Sequence, residues 1–289
     1  MKRALIAVYR VRMLILLVST GILLAIALFG PLLAGVPRSV RSTLVGVALC
    51  GWGLTLVLVL LGPRVLPHSE AVRVESPVRG RWLAMNSPAS KVPSHGVRMY
   101  GQAYAIDLVH EPDRESRPVF GTGSAMRPND DYPAFGQPVF AMVDGVVVKA
   151  SDWRRDHRAR STVPGLLYLM VEGMIRELGG PGFIVGNHVT IRTDEGQYAT
   201  VAHLQRGSVS VRVGDTVRRG SAIAKCGNSG NSTEPHVHAQ LMDRRSLFLA
   251  QGVPMVFTGI TLGADPELHD ALPRNEQHMG VAGGERAPR

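Results

Sequence analysis

Two uncharged apolar stretches near the N-terminus constrain this chain more than any other feature. Residues 13–35 read MLILLVSTGILLAIALFGPLLAG and residues 43–62 read TLVGVALCGWGLTLVLVLLG. About 20 apolar residues at a rise of about 1.5 Å each cross a bilayer core, so either stretch is long enough to span. Only VPRSVRS separates them. Backbone polar groups in lipid must be satisfied within each segment, so two such stretches on a short connection predict a helical hairpin. The first is too long for a cleavable signal peptide and is followed by a second span. The positive mean hydropathy of an otherwise arginine-rich chain is thereby placed in one region.

The sequence divides into four parts. Residues 1–63 form a two-helix membrane anchor, making the chain a multi-pass protein of the cell membrane. Residues 64–93, rich in Pro, Ser and Arg, read as a linker with a short strand at 72–78. Residues 94–263 carry short β-branched and apolar runs punctuated by Gly, Asp and Asn, among them PVFAMVDGVVVKA, HVTIRT, YATVAHL and HVHAQLMD. Many short strands with turn residues between them predict an all-β domain. Residues 264–289 are polar and read as a disordered tail. One insertion interrupts the strands: PGLLYLMVEGMIREL (164–178) has a proline at its start and two glycines after it, the signals of a helix. It either packs on the sheet or lies on a membrane surface or over a cleft.

The formal net charge is +9, almost all of the excess being arginine. That balance favours anionic surroundings such as lipid headgroups or an acidic wall polymer. No zinc-finger, helix-turn-helix or aromatic-stacking pattern points to nucleic acid. Cys50 lies in an apolar run far from Cys226, so a structural disulfide is not expected.

The chemistry concentrates in a few histidines. His236 and His238 flank Val237 in a strand-like run, and successive strand residues point to opposite faces, so both imidazoles share one face. His203 closes the run YATVAHL. Asp107 stands inside the apolar run AIDLV, where a lone carboxylate requires a cation or metal partner. Asp with neutral His ligands suits zinc. Asp144, Asp215 and Asn228 occupy turn contexts and read as structural, while His68, His157, His188, His269 and His278 have no partner in the pattern.

With these residues in place, the run from GNHVTIRT to EPHVHAQLMD resembles the core of the lysostaphin/LytM-type zinc metallopeptidases, over roughly residues 93–243. The resemblance implies a small, mostly antiparallel LytM-like β domain, here with a helical insertion, holding Zn2+ in a groove. It implies Asp107 and His238 as metal ligands and His203 and His236 as the catalytic pair. The family's first motif places a histidine four residues before the aspartate, where this chain has Ala103. His95, twelve residues upstream, is the expected third ligand if the intervening loop carries it back; His110 is its rival, on the opposite strand face. The implied activity is a zinc-dependent endopeptidase acting on peptide bonds of bacterial cell-wall peptidoglycan. A non-catalytic LytM-like module that activates another wall hydrolase is the alternative. The substrate puts the domain outside the cytoplasmic membrane, whereas Lys2, Arg3, Arg10, Arg12, Arg64, Arg73, Arg79 and Arg81 point inward by the positive-inside rule.

Overall fold

A computed structural model describes residues 2–65, 69–113 and 116–282 and divides the chain into two compact units, Met1–Ser69 and Glu70–Arg289. In the first, the apolar stretches fold as helices α1 (Lys2–Phe29) and α2 (Arg38–Val65), both long and apolar enough to cross a membrane. Small and hydroxyl side chains mediate their contact. Ala48, Ser19 and Thr55 are buried, and a methyl group at Gly51 or Gly62 would collide with Ser19 or the Tyr9 ring. Thr55 Oγ1 donates to the Arg12 carbonyl (3.3 Å) and Trp52 Nε1 to Thr20 Oγ1 (3.2 Å). Most Leu and Val side chains point outward, Leu58 being buried, the arrangement that suits helix pairs surrounded by lipid. Helix α1 starts eleven residues before the expected span and stops at Phe29, short of residue 35. Arginine is a good helix former, so Arg10 and Arg12 bound the apolar stretch and not the helix. At the other end Gly30-Pro31 breaks it, because proline lacks the N–H and clashes with the preceding turn.

The second unit is built on one twelve-stranded sheet, in which strand order places the site. From one edge the strands run Val72–Val74, Met255–Leu262, His278–Val281, Gly80–Met85, Ile106–His110, Val237–Met242, Tyr198–Ala202, His188–Arg192, Gly145–Ser151 and Thr216–Val217. Gly252–Val253 and Asp265–Ala271 pair beside this path. Among the described pairings only Val72–Val74 with Met255–Leu262 is parallel. Alternation along the central strands separates two faces. Ile106, Leu108, Val237, Ala239 and Leu241 enter a core with Trp82, Val189, Val201 and Phe257. Asp107, His238 and Gln240 take the other face, all buried.

The mostly antiparallel β architecture is as expected, although "all-β" is approximate, since helices α3 (Val163–Leu178) and α4 (Pro181–Val185) belong to this unit. Two boundaries differ. The compact unit begins at Glu70, and the expected linker contributes two strands, because Val74, Val78 and Trp82 are buried in the core. The expected tail from residue 264 forms strands Asp265–Ala271 and His278–Val281; residues 283–289 lie outside the described residues. Asp265–Ala271 is exposed along most of its length and, among the described residues, pairs with Met255–Leu262 alone, so it needs no apolar face. Met279 is buried and secures the last strand against Gly80–Met85.

Candidate metal centre

Register builds the site. His238 stands opposite Asp107 on the neighbouring strand and opposite Ala202 on the other. The residue after Ala202 is His203, which turns out of its strand with a left-handed φ of 60°, a costly conformation for a residue with a Cβ. It is held there by its N–H donating to the Val185 carbonyl (3.1 Å) at the end of α4. The loop after residue 226 packs onto the same place. Gly186 and Gly230, both at positive φ, approach so closely that a Cβ on either would strike the other's segment. Ser229 Oγ donates to the Leu204 carbonyl and accepts from the Asn187 N–H.

His95 reaches Asp107 because the loop between them closes on itself. The Ser94 N–H donates to the Ala103 carbonyl (3.1 Å) and Ser94 Oγ to the Gln102 carbonyl (3.2 Å). Residues 94 and 103 are thereby neighbours, and a side chain at 95 occupies the space beside Asp107 despite its twelve-residue separation. His110 does not: its ring lies against Trp82 and its Nδ1–H donates to the Pro133 carbonyl (3.1 Å).

Asp107, His203, His236 and His238 are each at least nine-tenths buried, and His95 is partly so. His95 Nε2 lies 3.0 Å from Asp107 Oδ2, His238 Nδ1 2.9 Å from Oδ1, and His236 Nε2 3.6 Å from Oδ1. The rings of His203 and His236 are 4.7 Å apart, and those of His203 and His238 5.7 Å. These five residues and Asn86, Tyr100, Leu169, Gly173 and Glu177 line a groove of about 400 Å³.

Hydrogen bonds fix the ring tautomers. His238 Nε2–H donates to Gln240 Oε1 (2.8 Å), an amide itself oriented by its Nε2 donating to the Tyr100 carbonyl (2.9 Å). The His238 Nδ1 lone pair therefore faces a carboxylate oxygen, two acceptors with nothing to share unless a cation or added proton lies between them. His95, Asp107 and His238 offer ligand atoms all within 4.8 Å of one another, a donor set that fits zinc. The other two rings are tied the opposite way. His203 Nδ1–H donates to the Ser229 carbonyl (2.8 Å) and His236 Nδ1–H to the Glu234 carbonyl (2.8 Å), which leaves each Nε2 as the free nitrogen.

Burial works to raise the Asp107 carboxyl, but the adjacent His95 and His236 rings hold it well below the usual range. Burial, reinforced by His236 and His238, pushes His203 well below the ordinary imidazole value. His236 is opposed by burial and raised by the Asp107 charge.

Two positioning side chains were not anticipated from sequence. Gln240 lies two residues after His238, on the same strand face, so period-two reasoning would have reached it. Asn86 Nδ2 donates to Asp107 Oδ2 (2.8 Å) from the residue after Gly80–Met85, at a left-handed φ of 47° that no sequence pattern announces. The residues read as structural behave so: Asp144 pairs with Arg219, Asp215 accepts from the Arg212 N–H, and Asn228 donates to Asn129 and His157. Away from the groove, His157 and His188 are buried, His269 pairs with Asp265, and His278 with Glu111. His68 lies outside the described residues. Cys50 and Cys226 are both free.

The sequence model of peptidase family M23 matches residues 167–249, which contain His203, His236 and His238. Among solved structures, the catalytic domain of the antimicrobial peptidase lysostaphin from Staphylococcus simulans is 21% identical, with 54% of this chain and 80% of that one covered and a TM-score of 0.31. For whole lysostaphin the identity is 19% and the TM-score 0.33, over 63% of this chain, which spans about half (53%) of that one. The deep-sea M23 metalloprotease pseudoalterin is 14% identical over 70% of this chain and 86% of that one, with a TM-score of 0.34. The chain carries a peptidase family M23 domain, and its two apolar N-terminal helices fit attachment to a membrane.

Proposed function

We propose that the chain is a membrane-anchored, zinc-dependent endopeptidase that hydrolyses peptide bonds of bacterial cell-wall peptidoglycan, with His95, Asp107 and His238 as metal ligands and His203 and His236 as catalytic residues. The observation that carries the reading is the opposed tautomer pattern of the buried histidines. His238 commits Nε2 to Gln240 and offers Nδ1 beside Asp107, whereas His203 and His236 commit Nδ1 and offer Nε2.

A zinc ion in this donor set supplies Lewis-acid polarisation of a carbonyl and makes a water more acidic. The residues of the chain do the rest. Asn86 and Gln240 hold Asp107 and His238 in their ligand orientations, the role that outer partners play around metal sites. The Nε2 atoms of His203 and His236 are placed to take a proton from an attacking water and to donate to the oxyanion of the tetrahedral intermediate. Their backbone anchors fix this tautomer before substrate arrives. The groove is lined mainly on one side by Leu169, Gly173 and Glu177 of α3, so a peptide strand is enclosed between that helix and the sheet. Such a substrate lies outside the cytoplasmic membrane, and the domain is proposed to face that side.

Zinc content of the purified full chain tests the ligand set. One zinc per chain, lost on His95→Ala and retained on His110→Ala, is expected. A chain that excludes zinc would favour a non-catalytic LytM-like module that binds and activates another wall hydrolase, and equal zinc binding without His95 would remove it from the ligand set.

A further inference from the structure

Helix α3 is amphipathic in the wrong sense for a solvent-facing helix. Its inward stripe carries Gly165, Leu169 and all of its charges. Glu172 accepts from Arg160 Nε (3.2 Å) and Arg176 Nη2 (3.3 Å), and Glu177 accepts from the Tyr100 hydroxyl. Its outward stripe is apolar. Leu167, Met170, Val171, Met174, Ile175 and Leu178 are 57% to 85% exposed. A single exposed leucine needs no explanation, but six on one helical face are a patch that marks an interaction surface.

The patch continues at both ends of the helix. Near the N-terminal end the exposed Val119 and Phe120 are fixed by the Gly121 N–H donating to the Ser161 carbonyl (2.7 Å), next to the Thr162 cap. At the C-terminal end the exposed Trp153 and Phe183 rings meet edge to face at 6.3 Å, and the Arg154 guanidinium lies 3.7 Å from the Phe183 centroid. Arg155 and Arg158 are exposed nearby in sequence.

We infer that the outward face of α3 docks on the lipid bilayer, with Trp153, Arg154 and Phe183 at the headgroup level. Three observations select lipid over a protein partner. The outward face carries Tyr168 as its one polar side chain between Val163 and Leu178, whereas protein interfaces have a polar rim. Tryptophan and arginine beside the patch are the residues that anchor proteins at a membrane–water boundary, where long basic side chains reach the headgroups. The two membrane-length helices make the bilayer the apolar phase this domain meets at the highest local concentration. The opposite side of α3 lines the groove, so docking would place the groove about one helix diameter, ~10 Å, from the lipid surface.

Spin-label accessibility on the full chain tests the inference. A label is placed at Met174→Cys or Leu167→Cys in a Cys50→Ser background; Cys226 is fully buried and stays unlabelled. The protein is reconstituted in vesicles of phosphatidylcholine and phosphatidylglycerol, with a label at the exposed Val213→Cys as the aqueous reference. The expected result is loss of collisions with a water-soluble nickel complex and gain of collisions with oxygen at both α3 positions, at a depth of about 5–10 Å. Nickel access equal to that at Val213 would overturn the inference. Shielding from both reagents with dipolar broadening would overturn it in favour of a second copy of the chain.

Discussion

The site strands and helix α3 both break the rule that polar groups face water and apolar groups face the core, in opposite directions. Across Ile106–His110 and Val237–Met242, Asp107, His238 and Gln240 are buried; the amide of Gln240 and the Nε2–H of His238 have fixed partners, and the facing pair of His238 Nδ1 and Asp107 Oδ1 is satisfied only by a cation between them. Along α3 the charges are turned inward and paired, while the apolar side chains are left outside, exposed among the described residues of their own unit. Buried polar groups stay only where they are satisfied, so the strand violation reads as chemistry. Exposed apolar area is tolerated only where something covers it in use, so the helix violation reads as an interface.

Five predictions test that contrast, in order of falling effect. Asp107→Ala or His238→Ala should remove zinc and lower kcat/KM by more than the roughly 10⁴-fold upper end of losing a general base, measured by metal content and turnover. His203→Ala should keep the zinc and lower kcat by about 10²–10⁴-fold. Activity surviving in a His203→Ala, His236→Ala double variant would refute the assigned roles.

The third concerns a buried polar group outside the groove. Burial pulls His188 from 6.5 to about 4. Its neutral form is the one the fold keeps, so its contribution is complete above about pH 6.5 and is lost as pH falls toward 4. At about 1.4 kcal/mol per pH unit the loss reaches about 3 kcal/mol, and denaturant titrations of His188→Asn should lack that slope. Fourth, Asn86→Ala and Gln240→Ala should weaken zinc binding by about 10–100-fold without abolishing it, read by competition with a chelator.

The fifth separates the two faces of α3. Glu172→Ala leaves the nearly buried Arg160 guanidinium short of a partner and should cost about 1–3 kcal/mol of stability. Met174→Ser on the outward face should change stability by less than about 0.5 kcal/mol. Equal effects would mean that α3 has its faces assigned wrongly.

Much of the site was legible because it obeys local periodicity. The period-two spacing of His236 and His238, and the apolar neighbours of Asp107, follow from strand geometry alone. The choice between His95 and His110 could be narrowed but not made, since it depends on the Ser94–Ala103 hydrogen bond that closes a loop. Asn86 depends on the register that sets Met85 opposite Asp107, and no spacing encodes it. The strands at Asp265–Ala271 and His278–Val281 escaped notice because their composition is that of a tail; pairing with existing strands supplies what composition lacks. For α3 the helix and its caps were readable, but which stripe faces inward was not. Charges on one side and leucines on the other normally imply the reverse orientation.

The proposed function has this groove cutting peptides in the wall polymer. Its most direct test is incubation of purified peptidoglycan with the zinc-loaded full chain, followed by mass analysis of the released fragments. The expected products are shorter peptides bearing new amino and carboxyl termini, absent with His238→Ala. Intact peptides after incubation with wild-type protein carrying one zinc per chain would contradict it.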